Sequence, residues 1–217
     1  MLTRLPADER RAQLVESAIA VAERGGIAAV TVRGIAEHAG VSLGVVHYVF
    51  ESKEALLAAM GESIVLQVSQ SMHAAFGEAS HHPEVRGIRG LRILLHRGLS
   101  AMWPLIEATP DRQKLSFELR SYSLRGASAA DNSTATLMNA IASEQYQIMD
   151  REAVAFLNNC SERSGTTWLE PVAAVSRFGL ALLDGLVLRW LVDRRSEAML
   201  AQLDDMAGII ASKATEV

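Results

Sequence analysis

The sequence predicts an all-α protein, and three observations on its 217 residues support that fold class. Apolar residues recur at helical spacing along almost the whole chain. Sustained alternation of apolar and polar residues is missing, and no Asn-Gly or Asp-Gly turn joins two β-branched runs. The composition, 49% hydrophobic and 21% charged, is that of a globular protein that can bury a sizeable core.

Four helices are predicted before residue 80, each bounded by residues that start or stop helices. An apolar stripe indicates a first helix over residues 8–24, which Gly25 and Gly26 end. The next three begin at hydroxyl residues that can cap a helix N-terminus: Thr31 caps a helix that runs to Ala39 and is closed by Gly40, Ser42 caps the third helix, and Ser52 caps a fourth that reaches about residue 76.

The remainder of the chain is predicted to form a helical bundle. Residues 75–87 are rich in Gly, Ser and Pro and indicate a loop. Helical patterns then cover about 86–102, 111–125, 134–162, 168–194 and 196–213, and Pro104, Pro110 and Pro171 stand where the pattern restarts. We therefore expect an N-terminal domain over residues 1–52 and a larger domain over residues 53–217.

Charge and cysteine content limit the classes of function. The net charge of −4 excludes a generally basic nucleic-acid binder, so any DNA contact must come from a local surface. Cys160 has no partner for a disulfide and no metal-ligand spacing around it, which favours a reducing compartment. The N-terminus lacks the apolar stretch of a secretion signal, and charges interrupt the most apolar segment, residues 172–192. We expect a cytoplasmic protein without a membrane segment.

Residues 31–56 have the plan of a helix-turn-helix. Two short predicted helices flank a tight turn over residues 39–42, where Gly40 suits a left-handed conformation. In this plan the second helix enters the DNA major groove and its N-terminal residues meet the base edges. The residues expected to form the shared core are Ile35, Ala36, Val41, Val46 and Phe50.

The same geometry assigns candidate DNA contacts. The residues that project from the leading end of the recognition helix are Ser42, Leu43, Val45 and His47, and Gly44 permits close approach of this helix to the DNA. Phosphate contacts are expected from Tyr48 and Lys53. Contacts to the opposite phosphate strand are expected from Thr31 and Arg33. The pattern alone is equally compatible with a small helical hairpin whose His and Lys side chains are solvated.

Residues 10–60 resemble the DNA-binding domain of the tetracycline-repressor (TetR) family of bacterial transcription regulators. The matching stretches are AIAVAERGG, TVRGIAEHAGVS, Gly44, Phe50 and SKEALL. The resemblance implies an all-helical homodimer that binds a double-stranded DNA operator through this homeodomain-like domain. It also implies a C-terminal bundle that senses a small effector, usually with repression relieved by that effector.

The recognition helix departs from the family pattern. Leu43 stands where the family often has a polar or basic residue, and Val45 stands where it often has a small hydroxyl residue. His47, Tyr48 and Val49 replace the usual Tyr, variable residue, and His or Tyr, so the phosphate contact could pass to Tyr48 or His47. The resulting apolar face suits contact with thymine methyl groups.

The C-terminal bundle is expected to dimerise and to hold the effector. Residues 180–193 are similar to the penultimate helix of the betaine-pathway, choline-responsive branch of the family. The helices near 168–194 and 196–213 carry broad apolar faces and are the predicted dimer interface; an ordinary buried helix pair is the alternative.

Effector contacts are predicted from the aromatic and thioether residues of the middle helices. The candidates are Trp103, Phe117, Tyr122, Met149, Phe156, Trp168 and Phe178, with His96, Glu118, Arg120 and Asp184 as candidate polar anchors. A core filled by the same side chains is the alternative.

No motif supports an enzyme. The chain lacks the G-x-S-x-G elbow, the H-E-x-x-H pair, the P-loop and the dinucleotide-binding glycine motif. His81 and His82 have no Cys or carboxylate partner at metal-ligand spacing, so we expect no metal and no cofactor. The sequence predicts a ligand-responsive transcription regulator, with a helical adaptor that does not bind DNA as the alternative.

Overall fold

The computed structural model describes residues 5–79, 85–126 and 133–217, and most of these residues are helical. The helices are α1 (Ala7–Gly25), α2 (Val32–Ala39), α3 (Leu43–Val49), α4 (Lys53–Ala79), α5 (Gly87–Glu107), α6 (Pro110–Gly126), α7 (Ser133–Ser164), α8 (Val172–Asp193) and α9 (Ser196–Ala211). A one-turn 3-10 helix (Ile27–Ala29) follows α1, and the strands β1 (Thr166–Trp168) and β2 (Ala214–Glu216) pair antiparallel. The all-α fold class is confirmed.

The described residues form two compact units. The first contains the described residues up to Leu66 together with those between Asp111 and Glu144, and the second contains residues 67–110 and 145–217. The helices α4 and α7 each contribute residues to both units. The division of function at residue 52 follows the end of the helix-turn-helix and stays a prediction.

Side-chain caps and a glycine set the helix ends of the N-terminal domain. Thr31 Oγ1 accepts a hydrogen bond from the Gly34 N–H at 3.0 Å, and Ser52 Oγ accepts one from the Ala55 N–H at 3.1 Å. Gly40 ends α2 in the left-handed conformation, with a φ of 65°. These predicted caps are confirmed. Ser42 occupies the predicted cap position of α3 but makes no side-chain cap hydrogen bond.

The core of the helix-turn-helix follows the predicted seam. The helices α2 and α3 pack against each other and against α1. Ile35, Ala36, Val46 and Phe50 are buried, and Val41 is half-buried. Because these side chains are removed from water, the outer surfaces of α2 and α3 are fixed relative to α1.

The small sheet is a feature that the sequence did not predict. Thr166 pairs with Glu216 and Trp168 pairs with Ala214, so the chain is extended where a helix over 168–194 was expected to begin. The helix α8 starts only at Val172, after Pro171. Strands of three residues are too short to display an alternating pattern, which explains the error.

The helix α5 also extends beyond its predicted end near residue 102. It passes through Pro104 and ends at Glu107. Proline removes one backbone hydrogen bond from a helix. Pro104 lies in the last turn, and its carbonyl still accepts a hydrogen bond from the Ala108 N–H at 3.0 Å. The single lost bond therefore does not end the helix.

The second unit is built on α9, which packs against α5 and α8. Arg92 on α5 forms an ion pair with Asp204 on α9 at 2.7 Å. The rings of Trp103 and Trp190 meet edge to face, with centroids 4.9 Å apart. In the part of the chain that the structure describes, no helix is both long enough and apolar enough to cross a membrane.

Candidate DNA-binding surface and effector cavity

The turn between α2 and α3 presents α3 to solvent. Gly40 reverses the chain, and the Val41 N–H donates a hydrogen bond to the Ala36 carbonyl at 3.0 Å. The Val45 N–H then donates to the Ser42 carbonyl at 3.0 Å, which begins the recognition helix. The turn is thus held by backbone bonds, and the outward side of α3 is left to the side chains of that helix.

The structure places most of the predicted DNA contacts on the surface. Thr31, Arg33, Ser42, Leu43, Gly44, His47, Tyr48 and Lys53 are exposed, and Val45 is half-buried. Leu43 is 47% exposed and Tyr48 is 87% exposed, so neither large side chain contributes to a core. The side chains of Leu43 and Tyr48 are therefore available to contact a binding partner.

One predicted phosphate contact is held in an ion pair. Arg33 Nε lies 2.9 Å from Glu37 Oε1 on α2, and both side chains are well exposed. An exposed pair one helical turn apart contributes only about 0.3–0.5 kcal/mol. Phosphate oxygens can therefore replace the Glu37 carboxylate at little cost.

An apolar cavity lies among α4, α5, α7, α8 and α9, with its lining residues in the second unit. Its wall includes Met72, Phe76, Met102, Phe156, Leu180 and Met206. Ser176 supplies the polar side chain of the lining. The space open to the centres of water-sized molecules is about 40 Å³.

Two of the predicted effector residues belong to this region. Phe156 lines the cavity and stacks on Phe76, with ring centroids 4.1 Å apart. Met149 packs against the buried cluster of Met72 and Leu180, which are lining residues themselves. The effector role of both residues stays a prediction.

The other predicted effector residues lie elsewhere. Trp103 is buried against Trp190, and Phe117 lies in the first unit beneath the guanidinium of Arg120. Phe178 is exposed on α8, with Lys213 Nζ 4.7 Å from its ring centroid. The side chain of Tyr122 lies outside the described part of the chain. Trp168 is half-buried in β1 and is not among the lining residues.

The candidate polar anchors are engaged outside the cavity lining. The His96 ring nitrogen lies 3.3 Å from Ser100 Oγ, the Arg120 Nε donates to the Ser116 carbonyl, and the Tyr146 hydroxyl donates to Asp184. Glu118 accepts a hydrogen bond from the backbone of Ile27. His81 and His82 lie outside the described residues.

Sequence reasoning missed most of the cavity wall. Met72, Met102 and Met206 line it, yet each stands at an ordinary apolar position of its helix. The spacing of apolar residues does not distinguish a side chain that faces a cavity from one that fills a core. The methionines were the available signal, because flexible thioethers are common at adaptable binding surfaces.

The outer face of α8 carries an exposed apolar stripe. Its residues alternate at spacings of four and three: Ala174, Phe178, Ala181, Gly185, Leu188 and Val192. Leu188 is 49% exposed and Val192 is 83% exposed. The neighbouring helix α9 adds Leu200 and Ile209 to the exposed apolar side chains. This spacing is that of helices that pack against another helix.

A helix-turn-helix whose second helix is exposed defines a DNA-binding regulatory protein. Residues 14–60 match the family model described as bacterial regulatory proteins, tetR family, and the relatives and solved structures that this chain resembles include TetR-family regulators. The family and the relatives described below are transcriptional regulators and not enzymes.

Two relatives of known function are similar in sequence. The nicotine-responsive transcriptional repressor HdnoR of Paenarthrobacter nicotinovorans is 25% identical over 192 residues, which cover 88% of each chain. The transcriptional regulator BetI 2 of Chromohalobacter salexigens is 38% identical over 65 residues, 30% of this chain and 31% of the relative. The resemblance of residues 180–193 to the betaine-pathway branch stays a prediction.

Solved structures share the fold over nearly the whole chain. A TetR transcription regulator from Haloarcula marismortui has a TM-score of 0.72 at 18% identity, covering 96% of this chain and all of the other. The Bacillus subtilis regulator FadR, solved in complex with stearoyl-CoA, has a TM-score of 0.62 at 17% identity, covering 93% and 98% of the two chains. At these identities the likeness establishes the fold.

Proposed function

We propose that this protein is a homodimeric repressor that releases its operator when a small molecule occupies the apolar cavity. The observation that carries the proposal is the course of α4. Lys53 begins this helix directly after the recognition helix, whereas Met72 and Phe76 near its other end line the cavity. A ligand that displaces these two side chains acts on the helix that follows the DNA-binding residues.

The proposed DNA interface has two parts. Ser42, Leu43, Val45 and His47 meet base edges in the major groove, and Gly44 allows α3 to approach the bases. Thr31, Arg33, Tyr48 and Lys53 hold phosphates. The exposure of eight of these nine residues supports the assignment. Residues 1–52 are thus assigned to DNA binding, and residues 53–217 to effector binding and dimerisation.

The proposed dimer forms through the helices near 168–194 and 196–213. The exposed apolar stripe of α8 supports this interface, since contiguous apolar surface at helical spacing marks a contact site. A two-fold dimer carries two recognition helices, and we infer that it binds a pseudo-palindromic operator with half-sites about one helical turn apart.

The proposed release by an effector is supported by the cavity and by two similar proteins. HdnoR is described as a nicotine-responsive repressor, and FadR was solved with stearoyl-CoA. By analogy, a small organic molecule regulates this chain. Because its partner is double-stranded DNA, we place its action in the cytoplasm.

A gel-shift titration tests the function directly. The wild-type protein and the Tyr48→Ala variant are titrated against DNA from the region upstream of the gene, with a scrambled duplex as the control. We expect a discrete complex with the upstream DNA and none with the scrambled duplex. The affinity of this complex should fall steeply as the salt concentration rises, and the Tyr48→Ala variant should bind more weakly. Equal binding of both duplexes, or no complex, would favour the helical adaptor.

A further inference from the structure

The cavity wall carries no charged side chain among its lining residues. Methionine, leucine, isoleucine and phenylalanine side chains, with an alanine and a glycine, make up the wall around Ser176. A charged ligand group there would lose its hydration and gain no counter-ion. Burial of an unpaired charge costs far more than a hydrophobic contact returns, so the wall selects against ions of either sign.

Ser176 limits the polarity that a ligand can carry. Its side chain is buried, with 2% of the residue exposed, and its Oγ donates to the Asp150 carbonyl across 3.5 Å. A hydrogen bond of this length is weak. The hydroxyl can therefore serve one ligand hydroxyl or carbonyl, and the wall supplies no second side-chain partner.

The aromatic residues of the wall do not form a cage for an organic cation. Phe76 and Phe156 stack on each other with an interplanar angle of 11°, so each ring has one face covered by the other. Recognition of quaternary ammonium groups relies on several open aromatic faces around the cation, with tryptophan the strongest partner. Two stacked phenylalanines provide neither several open aromatic faces nor a tryptophan.

The wall combines one rigid side with one adaptable side. Phe156 lies against Gly98, where an added Cβ would be 2.3 Å from the ring, so α5 and α7 already touch there. Met72, Met102 and Met206 are unbranched and can repack. At about 40 Å³ the cavity is well below the 300 Å³ of a typical ligand site. We therefore expect a bound ring or chain to displace these methionine side chains.

We infer that the cavity binds a neutral hydrocarbon group, a single ring or a short alkyl chain with at most one hydrogen-bonding atom, and excludes ammonium and carboxylate groups. The inference rests on the proposed function only in regarding this ligand as the effector. The chemistry of the lining residues predicts this ligand class whether or not the protein binds DNA.

Methionine methyl NMR tests the inference with three ligands of one shape. Toluene, benzylammonium and benzoate are titrated at equal concentrations into protein carrying ¹³C-methyl methionine, whose signals are assigned through single Met→Leu variants. We expect toluene to shift the signals of Met72, Met102 and Met206 in a saturable manner. Met60 and Met199 are buried but do not line the cavity, and they serve as internal controls.

A glycine pair supplies a matched control for the site itself. A Cβ on Gly179 would enter the cavity wall 3.3 Å from Ile210 Cδ1, whereas a Cβ on Gly77 meets nothing within 4 Å. Gly179→Ala should weaken toluene binding about tenfold, the effect of one methyl group in an apolar pocket. Gly77→Ala should leave it unchanged.

Two results would overturn the inference: equal shifts of the three lining methionines by either charged ligand, or no toluene shift at those methionines. The proposed function fails separately. If toluene binds as expected but no neutral ligand of this class changes operator affinity, the ligand class stands and regulation through this cavity is refuted.

Discussion

The carboxylate of Glu118 on α6 accepts a hydrogen bond at 3.1 Å from the backbone N–H of Ile27, where α1 passes into the 3-10 helix. The adjacent Gly26 has a φ of 75°, and a Cβ there would lie 2.7 Å from Glu118 Oε1. Arg112, in the first turn of α6, forms an ion pair with Glu23 near the end of α1. Within the first unit, α6 is therefore joined to the end of α1 by two charged contacts.

This relationship ties α6 to α1, a contact that the sequence does not show. The helix α1 packs against α2 and α3, so its end helps to fix the helix-turn-helix. Glu118 thus supports the DNA-binding domain from a distant part of the sequence.

Gly26→Ala should destabilise the protein by about 1–3 kcal/mol, because it adds backbone strain at a positive φ. It also introduces the contact with Glu118 Oε1. Chemical denaturation measures the effect, with Gly77→Ala as the control at an unobstructed helical glycine. In a Glu118→Ala background the loss should be smaller, since the contact is absent. Equal losses in both backgrounds would assign the whole effect to backbone strain.

The helix-turn-helix could be predicted because its signals are local in the sequence. Contacts between residues far apart in the sequence could not be predicted. The caps at Thr31 and Ser52 and the turn at Gly40 depend on neighbours within four residues, which the sequence displays directly. Glu118 meets Ile27 across 91 positions, so the sequence suggested only an effector anchor. Phe156 and Phe178 are both phenylalanines within helices, and the sequence predicted an effector contact for each. Phe156 lines the cavity, whereas Phe178 is exposed.

Lys53→Ala should weaken binding to every DNA sequence by a similar factor and reduce the salt dependence by about one phosphate equivalent. Fluorescence anisotropy at several salt concentrations measures the slope for specific and random duplexes. Lys114→Ala removes the same charge from an exposed position on α6 and should leave the slope unchanged. A loss confined to the specific duplex, at constant slope, would assign Lys53 to base recognition.

Leu188→Glu should convert the dimer into monomers or aggregates, because it places a carboxylate on the exposed apolar stripe of α8. Analytical ultracentrifugation measures the mass. Leu105→Glu is the matched control, since Leu105 is exposed to a similar extent on α5. A variant at position 188 that remains a dimer, or a monomeric wild type that binds a full operator, would refute the proposed interface.

Cys160 should be inert in the folded protein. Burial raises the pKa of its thiol from 9.0 to about 12, against a smaller opposite effect of the Arg163 charge. A thiol reagent at pH 8 should label the unfolded chain and spare the folded one. Between pH 9 and 12 the unfolded thiol ionises first, so stability should fall as the pH rises through this range. Rapid labelling of folded protein would contradict the burial of this side chain.

Val45→Thr should change which operator is preferred while leaving the fold intact. Val45 is half-buried at the leading end of α3, where its methyl groups suit a thymine methyl and cannot donate a hydrogen bond. Threonine keeps the shape and adds a hydroxyl, so mismatch penalties should shift by about 1 kcal/mol at one base pair of each half-site. Selection from randomised half-sites measures this, and Val49→Thr, the same change at the other end of α3, should leave the selected motif unchanged. If Val45→Thr keeps the wild-type motif and lowers the melting temperature by many degrees, Val45 belongs to the core and the assigned face of the recognition helix is wrong.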